Sequence, residues 1–269
     1  MKNINGLMVL EKSDFLKHCP SFYAEQPHDR MSERYTFLNS REIAVQLWNN
    51  GWYPTMAREM RSNKKENRGF TKHLVRFSNP HFVTTSGDRI ELVSVNSHNG
   101  VSAYQFFCGV FRLVCSNGMI AQTSDLGSFR VLHKGDIVQQ VQMAIDGISN
   151  NASLVAESMQ DMQTIELTPN EQGIFASAAH AYLYDEPEAA PIRPQSLLIP
   201  RRTVDDKSDL WSVFNRVQEN ALKGGLKGFN HETRRRVKTK KLTSIDKDIK
   251  INKALWQLAE KMREMKKAA

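Results

Sequence analysis

Apolar and polar positions along this 269-residue chain change their spacing more than once. Residues 1–35 are mixed, and Pro20 and Pro27 stop any long helix there. Over residues 41–50 the apolar positions Ile43, Ala44, Leu47 and Trp48 recur at three and four, which predicts a helix. Ser40 stands at its N-cap and Gly51 at its C′ position. Trp52-Tyr53-Pro54 then reads as an extended exit, because a residue before proline avoids the helical region. Residues 58–69 are polar, basic and aperiodic, as in a loop or a frayed helix.

The middle of the chain has strand character. Residues 73–77 and 91–95 are short β-prone runs, with a turn region at 80–87 between them. Residues 97–100 close a hairpin, residues 102–115 form a long apolar strand, and Asn117-Gly118 is a strong hairpin turn signal. Return strands are expected at 119–123 and 129–132. From Asp136 the spacing of three and four mostly resumes through Ile137, Val138, Val141, Ala144, Ile145, Ile148, Leu154, Val155 and Met159, a helix to about residue 163. Thr168-Pro169 followed by Glu171 makes a capping box and opens another helix, ending near Tyr184. Residues 185–202 hold four prolines and read as an extended connector. An amphipathic helix over 209–222 points Leu210, Trp211, Phe214 and Val217 inward and stops at Gly224-Gly225. After a basic run at 230–244, a terminal helix over 244–265 carries Ile251, Leu255, Leu258, Met262 and Met265 on one face.

A helix, an antiparallel β-meander and then several helices predict an α+β fold. The domain reading is an α+β core over 1–184, a proline-rich connector over 185–208 and a basic helical region over 209–269.

Composition narrows the function classes. Hydrophobic residues make up 40% and charged residues 25%, with no apolar run near the roughly 18 residues of a spanning helix. The N-terminus lacks the apolar stretch of a signal peptide, so the expected location is the cytoplasm. Three cysteines, Cys19, Cys108 and Cys115, with no CxxC argue against a disulfide framework or a cysteine zinc site. The eight histidines are scattered, with no local pair of metal ligands. Phosphate-loop, dinucleotide and zinc-protease motifs are absent. The expectation is therefore no cofactor, no metal and no catalytic residues.

Charge changes the picture most. The net charge of +8 is sorted into blocks: +5 over residues 58–76, −6 over 150–200 and +10 over 223–269. Two basic stretches are candidate phosphate tracks. The first is Lys64, Lys65, Arg68, Lys72, His73 and Arg76, flanked by Phe70 and Phe77, since cations interleaved with aromatics suit single strands. The second is Arg234, Arg235, Arg236, Lys238, Lys240 and Lys241, six cations in eight positions that repel one another and favour phosphate. The bland alternatives are a solvated loop for the second and ordinary core for Phe77. Ser97-His98 and Cys115 offer a different chemistry, in which the His98 imidazole would serve the Ser97 hydroxyl and that of His98 or His133 the Cys115 thiol. The same residues make ordinary hairpin turns, and adjacency in sequence is not a triad. Asp246 and Asp248 form a DxD at a helix start, where two acids are usual without a metal.

Several stretches resemble a known family. They are Gly69-Phe70-Thr71-Lys72-His73-Leu74-Val75-Arg76-Phe77, Asn96-Ser97-His98, Ser102-Ala103-Tyr104 and the run from Gly109 to Gly118. Further on they are Leu210-Trp211, Asn215-Arg216-Val217-Gln218-Glu219-Asn220, Gly224-Gly225 and Asn252-Lys253-Ala254-Leu255-Trp256. Over residues 33–265 the chain is similar to the phage- and plasmid-type proteins of domain-of-unknown-function family 932. The resemblance implies a mobile element in a bacterial cytoplasm and carries over no catalytic residue. A meander followed by a long helix is also similar in order to the core of phage single-strand annealing proteins, an architectural analogy. The expected function is thus a non-enzymatic protein that binds single-stranded DNA in recombination, annealing or strand protection, as a homo-oligomer in one version. The alternative is an inhibitor that binds a host defence protein through its acidic 157–188 segment.

Overall fold

The computed structural model describes residues 1–33, 35–83, 89–111, 118–120, 129–131 and 137–268. Within them the fold is α+β, and all strand pairings are antiparallel. The chain divides into two compact units, Met1–Leu154 and Val155–Ala269. The division falls within a helix, upstream of residue 184.

The first unit opens with β1 (Lys2–Ile4) and β2 (Leu7–Val9), joined at Asn5 and Gly6, both with positive φ. Helix α1 (Lys12–His18) and a short 3-10 turn at Pro20–Tyr23 follow. Helix α2 (Ser40–Asn49) begins where the spacing places it, but Asn39 is its cap: the Asn39 side chain accepts from the Arg41 amide. Gly51 has φ +79, the left-handed conformation that favours glycine. Of the expected inward face, Ile43 and Leu47 are buried. Trp48 instead lies 42% exposed, its ring edge-on to Tyr53.

The main sheet contains β3 (Tyr53–Glu59), β4 (His73–Val83), β5 (Arg89–Asn96), β6 (Tyr104–Phe111) and β7 (Gly118–Ile120), paired in that order. β8 (Phe129–Val131) also pairs with β6. The turn expected from Pro80 is still strand to Val83, with a register break between Ser78 and Val83 that accommodates the proline. Leu74, Val75, Phe77, Leu92, Val93, Phe106 and Phe107 are all buried, so the central strands are covered on both faces. The expected chain segments at 112–117, 121–123 and 132–136, Cys115 and His133 included, lie outside the described residues.

Helix α3 (Ile137–Thr164) carries the chain from the first unit into the second. Within the first unit its Gly147 lies against the Phe129 ring, where a Cβ would collide. In the second unit, Thr168 and Glu171 form both bonds of the expected capping box on α4 (Pro169–Leu183).

The proline-rich stretch is not a free connector. It makes 3-10 turns at Pro187–Ala189, Pro194–Leu198 and Thr203–Asp205 and buries Ile192 and Leu197. Burial of those apolar side chains is what places the stretch inside the second unit. It packs around α5 (Leu210–Lys223), which is buried on nearly every face rather than one. The polar residues that read as its solvent face are satisfied inside. Asn220 donates to the Leu197 and Ile199 carbonyls, Gln218 to Asn252, and Glu219 accepts from Arg202 and Lys223. After Gly224 the basic run forms a hairpin, β9 (Lys227–Asn230) and β10 (Arg235–Lys238), followed by α6 (Ile245–Ala268). The stripe that α6 buries is Asn252, Leu255, Trp256, Ala259, Glu260 and Met262, rotated from the expected one, and Met265 is exposed.

Candidate nucleic-acid interface

The two basic stretches have different fates. In the first, Lys64, Lys65 and Arg68 are exposed around a 3-10 turn at Lys65–Asn67, and Lys72 is half-buried. His73 and Arg76 do not belong to a phosphate track, because β4 is a central strand and takes them inside. Arg76 donates through Nε to Glu91 at 2.6 Å, with side-chain exposures of 11% and 2%. Glu91 also accepts from Ser78. Phe77 is core, and Phe70 meets the His28 ring edge-on.

His73 sits in a buried polar cluster that also holds Ser40, Thr71, Asn96 and His98. Burial pushes its pKa down to about 4, so the ring is neutral near neutral pH. Its Nδ1–H faces the Thr71 carbonyl at 3.1 Å, which leaves Nε2 to accept the Ser40 proton at 3.1 Å. The Ser40 oxygen then receives Nδ2 of Asn96 at 3.3 Å and Nε2 of His98 at 3.4 Å. A hydroxyl on an imidazole oriented by a carbonyl has the outline of a nucleophile and its base. Ser40 is 1%, His73 2% and His98 0% exposed, however, and the hydroxyl is already engaged on three sides. What the arrangement does is fasten the start of α2 to the ends of β4 and β5. His98 thus lies in the hairpin loop, as expected, with its ring inside. Cys19 and Cys108 are buried thiols; burial holds both pKa values high, that of Cys108 at about 12. Among the described residues no group of three or more metal-ligating side chains occurs, and no helix is long and apolar enough to cross a membrane.

The second stretch faces outward. Arg234, Arg235, Arg236, Lys238, Lys240 and Lys241 are all exposed. The hairpin that carries them is held from several sides. Gly225 donates to the Thr239 carbonyl at 2.7 Å, Thr239 to that of Leu226 at 2.9 Å and Phe229 to that of Pro191 at 2.8 Å. Gly224 has φ +61 and lies against the backbone of Lys240, leaving no room for a Cβ. At the turn, Asn230 Oδ1 accepts from the Thr233 amide at 2.7 Å, and Arg234 takes φ +50.

Strand register sorts the side chains. Arg236 pairs directly with Phe229, and Lys238 with Lys227. Directly opposed residues share a face, so Lys227, Phe229, Arg236 and Lys238 stand together. All four are exposed, whereas on the other face Gly228, Asn230 and Val237 are half-buried and only Arg235, at the turn end opposite Asn230, is exposed. Directly opposed lysines repel each other, and no ion pair offsets them among the described residues. Lys227 and Phe229 were missed by the sequence reading. The signal lay in the alternation Lys227, Phe229, His231, hidden by glycine and asparagine at the intervening positions.

The acidic block is partly used within the second unit. Asp161 pairs with Arg263 and Lys267, and Glu171 with Lys266 on α6.

Comparison with known proteins points one way. The family described as Domain of unknown function (DUF932) matches residues 27–256. The Escherichia coli (strain K12) proteins called UPF0380 protein YfjQ and UPF0380 protein YafZ are each 36% identical over 252 residues, covering 93% of this chain and 90% of theirs. No solved structure matches the chain.

Proposed function

The chain belongs to the DUF932 family, and we propose that it is a non-enzymatic nucleic-acid-binding protein of a mobile element, acting on single-stranded DNA in the bacterial cytoplasm. The observation that carries this reading is the β9–β10 hairpin with its C-terminal flank, where six exposed cations, Arg234, Arg235, Arg236, Lys238, Lys240 and Lys241, lie within eight residues and have no ion-pair partner among the described residues. Clustered cations of this kind gain free energy when phosphates replace condensed counterions. Lys227 adds a seventh charge, set directly against Lys238. Lys64, Lys65 and Arg68 in the first unit supply further exposed charge. Binding along a strand by several copies, in annealing or strand protection, fits a hairpin of this size, which covers only a few nucleotides. No step of the proposed function needs a metal or a cofactor.

The test is fluorescence anisotropy with labelled oligonucleotides across a salt series. Six neutralised phosphates on a single strand give a log–log slope near about −4. The expected result is that slope, with single strands preferred over duplex. A slope near zero, or no binding at low salt, overturns the reading and turns the search to protein partners.

A further inference from the structure

The hairpin's cations surround a ring. Phe229 is 41% exposed although it sits in a strand, flanked by Lys227 two residues before it, Arg236 opposite it and Lys238 on the diagonal. A phenylalanine left in water at this position costs free energy that Thr or Lys would not. The ribbon meets the rest of its unit elsewhere: Gly228 lies against the Pro191 carbonyl, and Asn230, Val237 and Lys238 line a cavity with Tyr184 and Leu197. The ring is braced by His231, with centroids 5.3 Å apart and planes at 78°. An edge-on contact takes at most one face of the ring, and much of the side chain stays in solvent. His231 also borders a cleft of about 450 Å³ whose wall includes Arg193 and His180, a size within the range of ligand pockets.

The geometry points to Phe229 as a base-stacking platform for single-stranded DNA. A base lies on the ring face that His231 does not take, and the phosphates on either side meet Arg236 and the Lys227–Lys238 pair. The strand continues past His231 toward the cleft, where Arg193 offers a further phosphate contact. A duplex has no free base face to give such a ring, whereas every unpaired base does. The platform accounts for strand preference where the cations alone account only for attraction. It rests on the reading of the hairpin as a nucleic-acid contact, and the following experiment separates the two.

Wild type, F229A, F229L and F229W are titrated with an oligothymidine and with an abasic oligonucleotide of the same length. Stacking of one base on an aromatic side chain predicts a loss of roughly 5- to 150-fold for F229A on the oligothymidine. F229L, which keeps apolar bulk without a ring, is expected to lose as much, and F229W to bind as well as wild type or better. On the abasic strand wild type and F229A should bind alike, and the salt slope should be the same for all four proteins. Equal binding of wild type to the base-bearing and abasic strands, with a steep salt slope, overturns the platform and leaves the phosphate contact standing. Absence of salt-dependent binding by wild type overturns both. Thermal melts of the variants guard against a misfolded hairpin: F229L and F229W retain apolar bulk if F229A does not fold.

Discussion

Residues 58–76 and residues 227–241 are both rich in lysine and arginine and both contain phenylalanine. The first stretch runs into β4, between β3 and β5, in a sheet covered on both faces. Arg76 is consequently tied to Glu91, and His73 is neutral and enclosed. The second stretch forms a two-stranded ribbon with only one face against the protein, so its cations and one ring stay in water. What separates them is the number of neighbours each strand has. Charge density along a chain is therefore no guide to charge at a surface until the strand's place in its sheet is known.

The largest effect that would sharpen this contrast is in the inner region. Glu91→Ala leaves the Arg76 guanidinium enclosed without its carboxylate, at an expected cost of about 3–5 kcal/mol in urea unfolding. A cost below about 1 kcal/mol would show that the Glu91 carboxylate is not what holds Arg76 in place. Next comes pH. His73 holds a folded pKa of about 4 against an ordinary 6.5, because burial disfavours the charged ring. The unfolded chain takes up the proton first as the pH falls. Stability from this group is thus complete above 6.5 and is lost as the pH falls toward 4, by about 3 kcal/mol. Unfolding curves measured across that window should show the loss, and His73→Gln should flatten it.

In the outer region the expected change is in binding, not in folding. Replacing Lys227, Arg236 and Lys238 together by alanine should make the salt slope shallower by about 2. Stability should stay within about 0.5 kcal/mol or rise slightly as the opposed lysines are removed. A large loss of stability would mean that these side chains hold the hairpin together, and would erase the contrast. The smallest effect is expected from Lys64, Lys65 and Arg68 changed to alanine. Melting should be unaffected, and affinity should fall by less than for the hairpin set. The opposite ranking would move the main contact to the first unit.

Local signals were legible in the sequence. Thr168 with Glu171, Gly51 after α2, and the runs that became β4 and β5 all act within a few residues, and they appear in the fold as read. One local signal was passed over: Asn5-Gly6 between Ile4 and Leu7 is a hairpin turn of the kind that joins β1 and β2. The remainder depended on distant partners. Asn220 and Gln218 read as solvent-facing because the carbonyls of Leu197 and Ile199 and the side chain of Asn252, which satisfy them, lie some twenty or more residues away. Four prolines disguised a stretch that buries Ile192 and Leu197. At the candidate site, the six cations of β10 and its flank were legible as charge. The common face that Arg236 and Lys238 make with Lys227 and Phe229 was not, because it depends on the pairing register and on the lack of a third strand.

Gly228 sits where the hairpin and the proline-rich segment touch backbone to backbone. A Cβ there would collide with the Pro191 carbonyl, the group that accepts the Phe229 amide. In a random-mutagenesis screen for lost activity, Gly228 should therefore be recovered with almost any replacement, since even alanine levers the ribbon away. Geneticists would map it as a contact residue, although it has no side chain with which to touch a ligand.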